Sequence, residues 1–155
     1  MKNKVLLLLA VAVLAGCADE SRDRYNVDIR WTSYGSPHVT ADDWGSLGYG
    51  FAYATATDGI CVFAREVSRS NGTMSVDFGA SDENVASDTF HRALVTVDRA
   101  QKNAAAMSEN MKHYSAGVVA GYNRCIKDKR DNLPASCAGE EWVRPINAIE
   151  LGRMF

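Results

Sequence analysis

The sequence predicts an α+β domain, mostly helical with a few short strands. Three stretches carry that prediction. Met107, Met111, Tyr114, Val118, Tyr122 and Cys125 recur every three or four residues, the spacing of one buried helix face. Tyr25 to Trp31 alternates apolar and polar side chains, the period of a strand with one covered face. Between them, Trp44 to Asp58 is apolar and rich in glycine and alanine, and Trp44, Leu47 and Phe51 fall at helical spacing.

At 155 residues the chain is long enough for one domain with its own core. The formal charge is −2. Lys2 and Lys4 are the only charges in the first sixteen residues, which leaves 15 basic against 19 acidic side chains in the rest. No basic block remains that would serve as a nucleic-acid surface. Lys2 and Lys4 precede an apolar run, Val5 to Leu14, that is too short to span a bilayer comfortably and fits the core of an export signal. The run ends Leu14-Ala15-Gly16-Cys17, which resembles a bacterial lipobox. Residues 1–16 are therefore read as a lipoprotein signal peptide and Cys17 as the lipidated residue. Residues 17–24 form a polar tether. Two or three acyl chains, at about 0.8 kcal/mol per buried CH₂, would hold the domain at a membrane surface. The expected location is a bacterial, periplasm-facing membrane lipoprotein. Ala18 favours the outer membrane under enteric sorting rules.

Taken in order, Tyr25, Val27, Ile29 and Trp31 should share one strand face. Gly35 and Pro37 make a turn, and Val39 lies in a second short extended piece. Thr40-Ala-Asp-Asp43 resembles a capping box opening a helix, with acids at the positive end of its dipole. In that helix Trp44, Leu47 and Phe51 form an apolar stripe, and Gly45, Gly48 and Ala52 a stripe of small residues. Each interior glycine costs about 0.8–1 kcal/mol against alanine. Gly45, Gly48 and Gly50 together imply that another element comes close. Asp58-Gly59 should break or bend the helix, and Ile60 to Ala64 resume an apolar segment, either a second helical turn or a buried strand. Asn71-Gly72 signals a turn, and the alternation of Met74, Val76 and Phe78 predicts a strand after it. Gly79 to Ala86 reads as an acidic loop, Ser87-Asp88 as a cap, and Phe90, Leu94 and Val97 as helical. Gly117 and Gly121 lie one turn apart beside the Met107–Cys125 stripe, again implying close packing. Lys127 to Asp131 is a charged exit, Leu133-Pro134-Ala135 a loop, Trp142 to Pro145 extended, and Asn147 to Phe155 the start of a last helix.

His38, His91 and His113 are the only histidines, and none stands at a metal-ligand interval from another His, Cys or clustered acid. No G-x-S-x-G nucleophile elbow is present. No catalytic residue, metal or cofactor is expected in these residues. Asp42 and Asp43 are adjacent on a helix start and do not face one another, so they read as dipole caps. With Cys17 lipidated, Cys61, Cys125 and Cys137 remain as disulfide candidates in an oxidising compartment. Cys125 with Cys137 would close a short loop, and Cys61 with Cys137 would tie the first helix to the late loop. Both pairings stay open, as does the absence of a bridge.

Several segments in fixed order carry a resemblance. They are Ile29-Arg30-x-Thr-x-Tyr34-Gly-x-Pro-His38, Ala41-Asp-Asp43, Leu47-Gly-Tyr-Gly-x-Ala-Tyr-Ala54, Asp58-x-x-Cys61, Ser87-Asp88, Ala120-Gly-Tyr-Asn-Arg124, Leu133-Pro-Ala135 and Trp142-Val-Arg-Pro-Ile146. Together they resemble the α-chain region of the penicillin-acylase family, in the branch that cleaves long-chain acyl amides. Ser36, Gly59 and the Gly72–Val76 run depart from the pattern.

The resemblance implies that residues 25–155 are a partial α-chain domain of the four-layered αββα sandwich of N-terminal nucleophile hydrolases. It implies a precursor that cuts itself, with the new N-terminal Ser of the β chain as nucleophile and its own α-amino group as base. The expected function is the α-chain part of an amidohydrolase acting on acyl-homoserine lactones, lipopeptides or β-lactam side chains. It would be inactive alone, because that Ser would lie beyond Phe155. The expected partner is a β chain, docking on the Leu47/Phe51 and Met111/Tyr114/Val118 stripes. The alternative is a small standalone lipoprotein that binds a partner or ligand, or a gene-fragment relic.

Overall fold

The computed structural model describes residues 24–154. The signal peptide, Cys17, almost all of the tether and Phe155 lie outside the described residues. Strand β1 (Val27–Trp31) pairs antiparallel with β2 (Pro37–Ala41), Ile29 opposite Val39. The link is a tight turn in which Thr32 O accepts from Gly35 N–H, and Ser36 O accepts from Thr32 N–H, each at 3.0 Å. Gly35 sits at φ +81°, a left-handed conformation that a side chain would strain. Val27, Ile29 and Val39 are half-buried. Trp31, expected on the covered face, stands on the last rung opposite Pro37 and is 42% exposed.

The long helix α1 (Trp44–Asn71) starts later than the Thr40 reading implies. Thr40 belongs to β2, and the N-cap is Asp43, whose Oδ1 accepts from Ser46 N–H at 2.8 Å. Ser46 Oγ donates to Asp43 Oδ2 at 2.6 Å and accepts from Asn26 N–H at 3.0 Å, which ties the hairpin to the helix start. The bend expected at Asp58-Gly59 is a kink: Gly59 alone leaves helical geometry, at φ −142° and ψ 46°. The helix then resumes to Asn71 and ends where Gly72, at φ +66°, turns the chain and donates to Arg69 O.

Next come α2 (Met74–Asp77), α3 (Asp82–Leu94), α4 (Val97–Ala106), α5 (Glu109–Lys129), a 3₁₀ turn (Arg130–Asn132) and α6 (Ala148–Gly152). Ser81, Thr96 and Ser108 cap α3, α4 and α5 with side-chain oxygens. Two sequence expectations fail here. Met74 to Phe78 is a helical turn rather than a strand, and the supposed acidic loop is largely the first turn of α3. Asp88 supplies the physical reason for the first. It lies inside α3 rather than at its start, and its carboxylate accepts from Met74 N–H at 2.7 Å, from Ser75 N–H at 2.9 Å and from the Ser75 hydroxyl. A carboxylate from a neighbouring helix thus satisfies the free N–H groups of α2. Ser81 supplies the reason for the second, because it caps a turn opening on Asp82 and Glu83.

Helices α1 and α5 make the central contact, and glycine sets their separation. A Cβ on Gly117 would stand 2.8 Å from Tyr49 N and closer still to Gly45 O. One on Gly48 would meet the Tyr114 carbonyl, and one on Gly121 the Tyr49 carbonyl. Backbone therefore lies against backbone along this line. Gly50, on the hairpin side of α1, leaves room for Val27 and Val39. Beyond the glycines, Ala52, Ala56, Ile60 and Val67 of α1 meet Val118, Tyr122, Cys125 and Ile126 of α5. Cys137, Ile146 and Leu151 close that core from the late segment. Each large apolar side chain buried here contributes about 1.5–3 kcal/mol.

Cys61, two residues past the kink, is disulfide-bonded to Cys137 across 76 residues of chain, and Cys125 is free and buried. Asn123 grips the same late segment: its amide accepts from Ile146 N–H at 2.8 Å and donates to Ile146 O at 2.9 Å. Asn147 and Glu150 then form a reciprocal capping box on α6.

Candidate functional site

The apolar stripe of α1 does not become core. Because the two helices meet through glycine, the small residues of α1 face α5, and Trp44 and Phe51 are left 50% and 48% exposed. On the adjoining face of α5, Met111 is 47% exposed and Tyr114 half-buried. The Phe51 and Tyr114 rings lie 6.3 Å apart, tilted by 38°. Trp44, Ser108, Asn110, Met111 and Tyr114 line a groove of about 320 Å³. Burial pushes the Tyr114 phenol above its ordinary pKa, so it stays neutral. The arrangement is an open apolar edge suited to another apolar surface. Val118, expected on the same edge, is instead 3% exposed within the α1–α5 contact. Leu47 is half-buried.

The titratable residues are dispersed. His38 stands on β2 opposite Arg30, and His91 Nδ1 lies 2.8 Å from Ser87 O. His113 lines a separate cleft with Arg24, Tyr25 and Asp43. Asp43 is held below the usual carboxylate range by the Ser46 hydroxyl and N–H, and its charge is directed to the helix start. Asp42 is exposed beside it. Burial pushes the Cys125 thiol above its ordinary value, with Thr57 Oγ1 3.8 Å away, so it is a poor nucleophile. Among the described residues no group of three or more His, Cys, Asp or Glu could hold a metal ion. No described helix is long and apolar enough to cross a membrane. Sequence reading missed the role of Asp88. Its signal, an acid on the inward face of a helix, emerges only once α2 is placed.

Residues 26–149 match the family model for penicillin amidase. An acyl-homoserine lactone acylase PvdQ of Pseudomonas putida is 38% identical over 136 residues, which is 83% of this chain and 18% of that protein. Aculeacin-A acylase of Actinoplanes utahensis is 38% identical over 141 residues, with 83% and 18% covered. A solved structure of thermostable penicillin G acylase from Alcaligenes faecalis superposes with a TM-score of 0.73 at 27% identity, covering 83% of this chain and 69% of that one. The chain thus spans under a fifth of the length of these two curated relatives and most of the solved chain.

Proposed function

The chain belongs to the penicillin amidase family, and from that premise we propose that it is the α-chain part of an acyl-amide hydrolase. Its substrates would be acyl-homoserine lactones, lipopeptides or β-lactam side chains. The family match over residues 26–149 is the observation that carries this reading, because it takes in nearly every described element. The catalytic Ser, with its own α-amino group as base, belongs to a β part, and this chain contributes structure and an apolar contact edge. The 155 residues alone should be inactive. The edge of Trp44, Phe51, Met111 and Tyr114 receives the β part. Cys17 anchors the assembly to a bacterial membrane on its periplasmic side, the outer membrane being favoured.

The test is reconstitution. The 155-residue chain is assayed on a long-chain acyl-homoserine lactone, alone and after co-expression with the β part of a related acylase. Co-elution with the β part, and turnover only in the mixture, is the expected result. Turnover by the lone chain, or a monodisperse monomer that ignores the β part, overturns the reading. For the anchor, metabolic labelling with a radioactive fatty acid should mark the wild type and leave Cys17→Ser unlabelled.

A further inference from the structure

A second cleft, sharing no lining residue with the Trp44–Met111 groove, has a different chemistry. It encloses about 320 Å³ between the C-terminal half of α1, the exit of α3 and the residues after α6. Glu66 and Arg69 line it from α1, His91 and Val95 from the α3 side, and Arg153 and Met154 from beyond α6. The cations there are not equivalent. Arg69 is held by Glu66 at 3.1 Å. Arg92, close by in sequence, donates its Nε to Gly72 O at 2.7 Å. Arg153 Nε is buried with no hydrogen-bond partner. The acids that could answer it already have partners, Glu66 in Arg69 and Glu150 in Arg144 at 2.6 Å.

A guanidinium stays charged, and no acid of the cleft is left to pair with that of Arg153, so the site asks for an anion. A guanidinium presents paired N–H groups that match the two oxygens of a carboxylate. His91 directs Nδ1 at the Ser87 carbonyl, 2.8 Å away. With Arg69 held by Glu66, a highly charged anion would find one unpaired guanidinium in the cleft rather than a cluster. Val95 and Met154 add an apolar flank. We propose that this cleft binds a small organic carboxylate, with its oxygens on Arg153 and its apolar substituent against Val95 and Met154.

The test is a titration of the 155-residue chain followed by the arginine Nε–H resonances in NMR. Butyrate, acetate and inorganic phosphate are added at constant ionic strength. Arg153→Met identifies the Arg153 signal by its loss. Butyrate should shift that signal saturably, at lower concentration than acetate, and phosphate should be weakest. Arg153→Lys keeps the charge but loses the two-pronged edge, and should weaken butyrate binding by about tenfold, the scale of one charge-assisted hydrogen bond. Binding followed through the His91 ring signals makes that comparison in the lysine variant, and it holds even if Arg153→Met does not fold. Glu66→Gln should leave binding intact or tighten it. The proposal is overturned if butyrate gives no saturable shift or if phosphate matches it. Binding that appears only in Glu66→Gln also overturns it, since Glu66 would then be the native partner of Arg153.

Discussion

Gly117 shows how one missing methyl group sets the main helix contact. Replacing it with alanine gains about 1 kcal/mol of helix propensity. The new Cβ would meet Gly45 O and Tyr49 N, which are backbone and cannot rotate away. Overpacking of that kind costs typically about 1–3 kcal/mol. Steric cost should therefore win, and Gly117→Ala should lower the urea midpoint; equal or greater stability would refute backbone-to-backbone packing. Asp88 makes the complementary case for a polar residue that is 5% exposed. Burial alone would raise its pKa, but bonds from the Ser75 hydroxyl and N–H and from Met74 N–H, with Arg92 nearby, hold it below the ordinary value. A carboxyl whose folded pKa is depressed stabilises the fold above its unfolded pKa of about 3.9 and loses that contribution as pH falls through the folded value. Asp88→Asn should therefore reduce stability at neutral pH and flatten the acid limb of the Tm profile below about pH 4. An acid limb of unchanged slope would show that other carboxylates govern it.

At the scale of elements, legibility followed the range of the cause. The hairpin, α1, the bend at Gly59 and α5 were readable because period, turn residues and glycine spacing are local signals. The short helix α2 was not, since its N-terminus is satisfied by Asp88 fourteen residues away from Met74. The sequence reading left the Trp44/Phe51 stripe as a surface for a partner, and the structure leaves Trp44 and Phe51 about half exposed, because close approach through Gly48, Gly117 and Gly121 puts the small residues inward. Local sequence also left the cysteine pairing open, which the structure resolves as Cys61 to Cys137. That bond joins α1 just past its kink to a segment otherwise held by Asn123 and a few apolar side chains. In the chain-entropy model a 76-residue separation corresponds to about 4.5 kcal/mol of stabilisation. Cys61→Ser, or reduction of the wild type, should lower the melting temperature markedly. Cys125→Ser should leave the bond in place. A wild type whose melting is indifferent to reductant would show that the core alone fixes the late segment.

For the whole molecule, the decisive feature is what α1 and α5 leave uncovered. Trp44, Phe51 and Met111 are about half exposed and sit with Tyr114 on adjoining helix faces. Contiguous exposed apolar surface of this kind marks a contact site more often than a free surface. Removing it should separate stability from association, because the two depend on different residues. The α1–α5 contact rests on the glycines and on Ala52, Val118 and Tyr122, none of which is exposed. A Phe51→Ser, Met111→Ser double variant should therefore keep its fold, with a change in stability within about 1 kcal/mol, as expected for two half-exposed positions. The same variant should lose co-elution with an acylase β part, and it should aggregate less than the wild type when expressed alone. If the variant still binds the β part with undiminished affinity, the edge is not the contact surface, and the β part must dock elsewhere on the chain. If it unfolds, Phe51 and Met111 carry more of the core than their exposure indicates, and the separation of scaffold from docking edge fails.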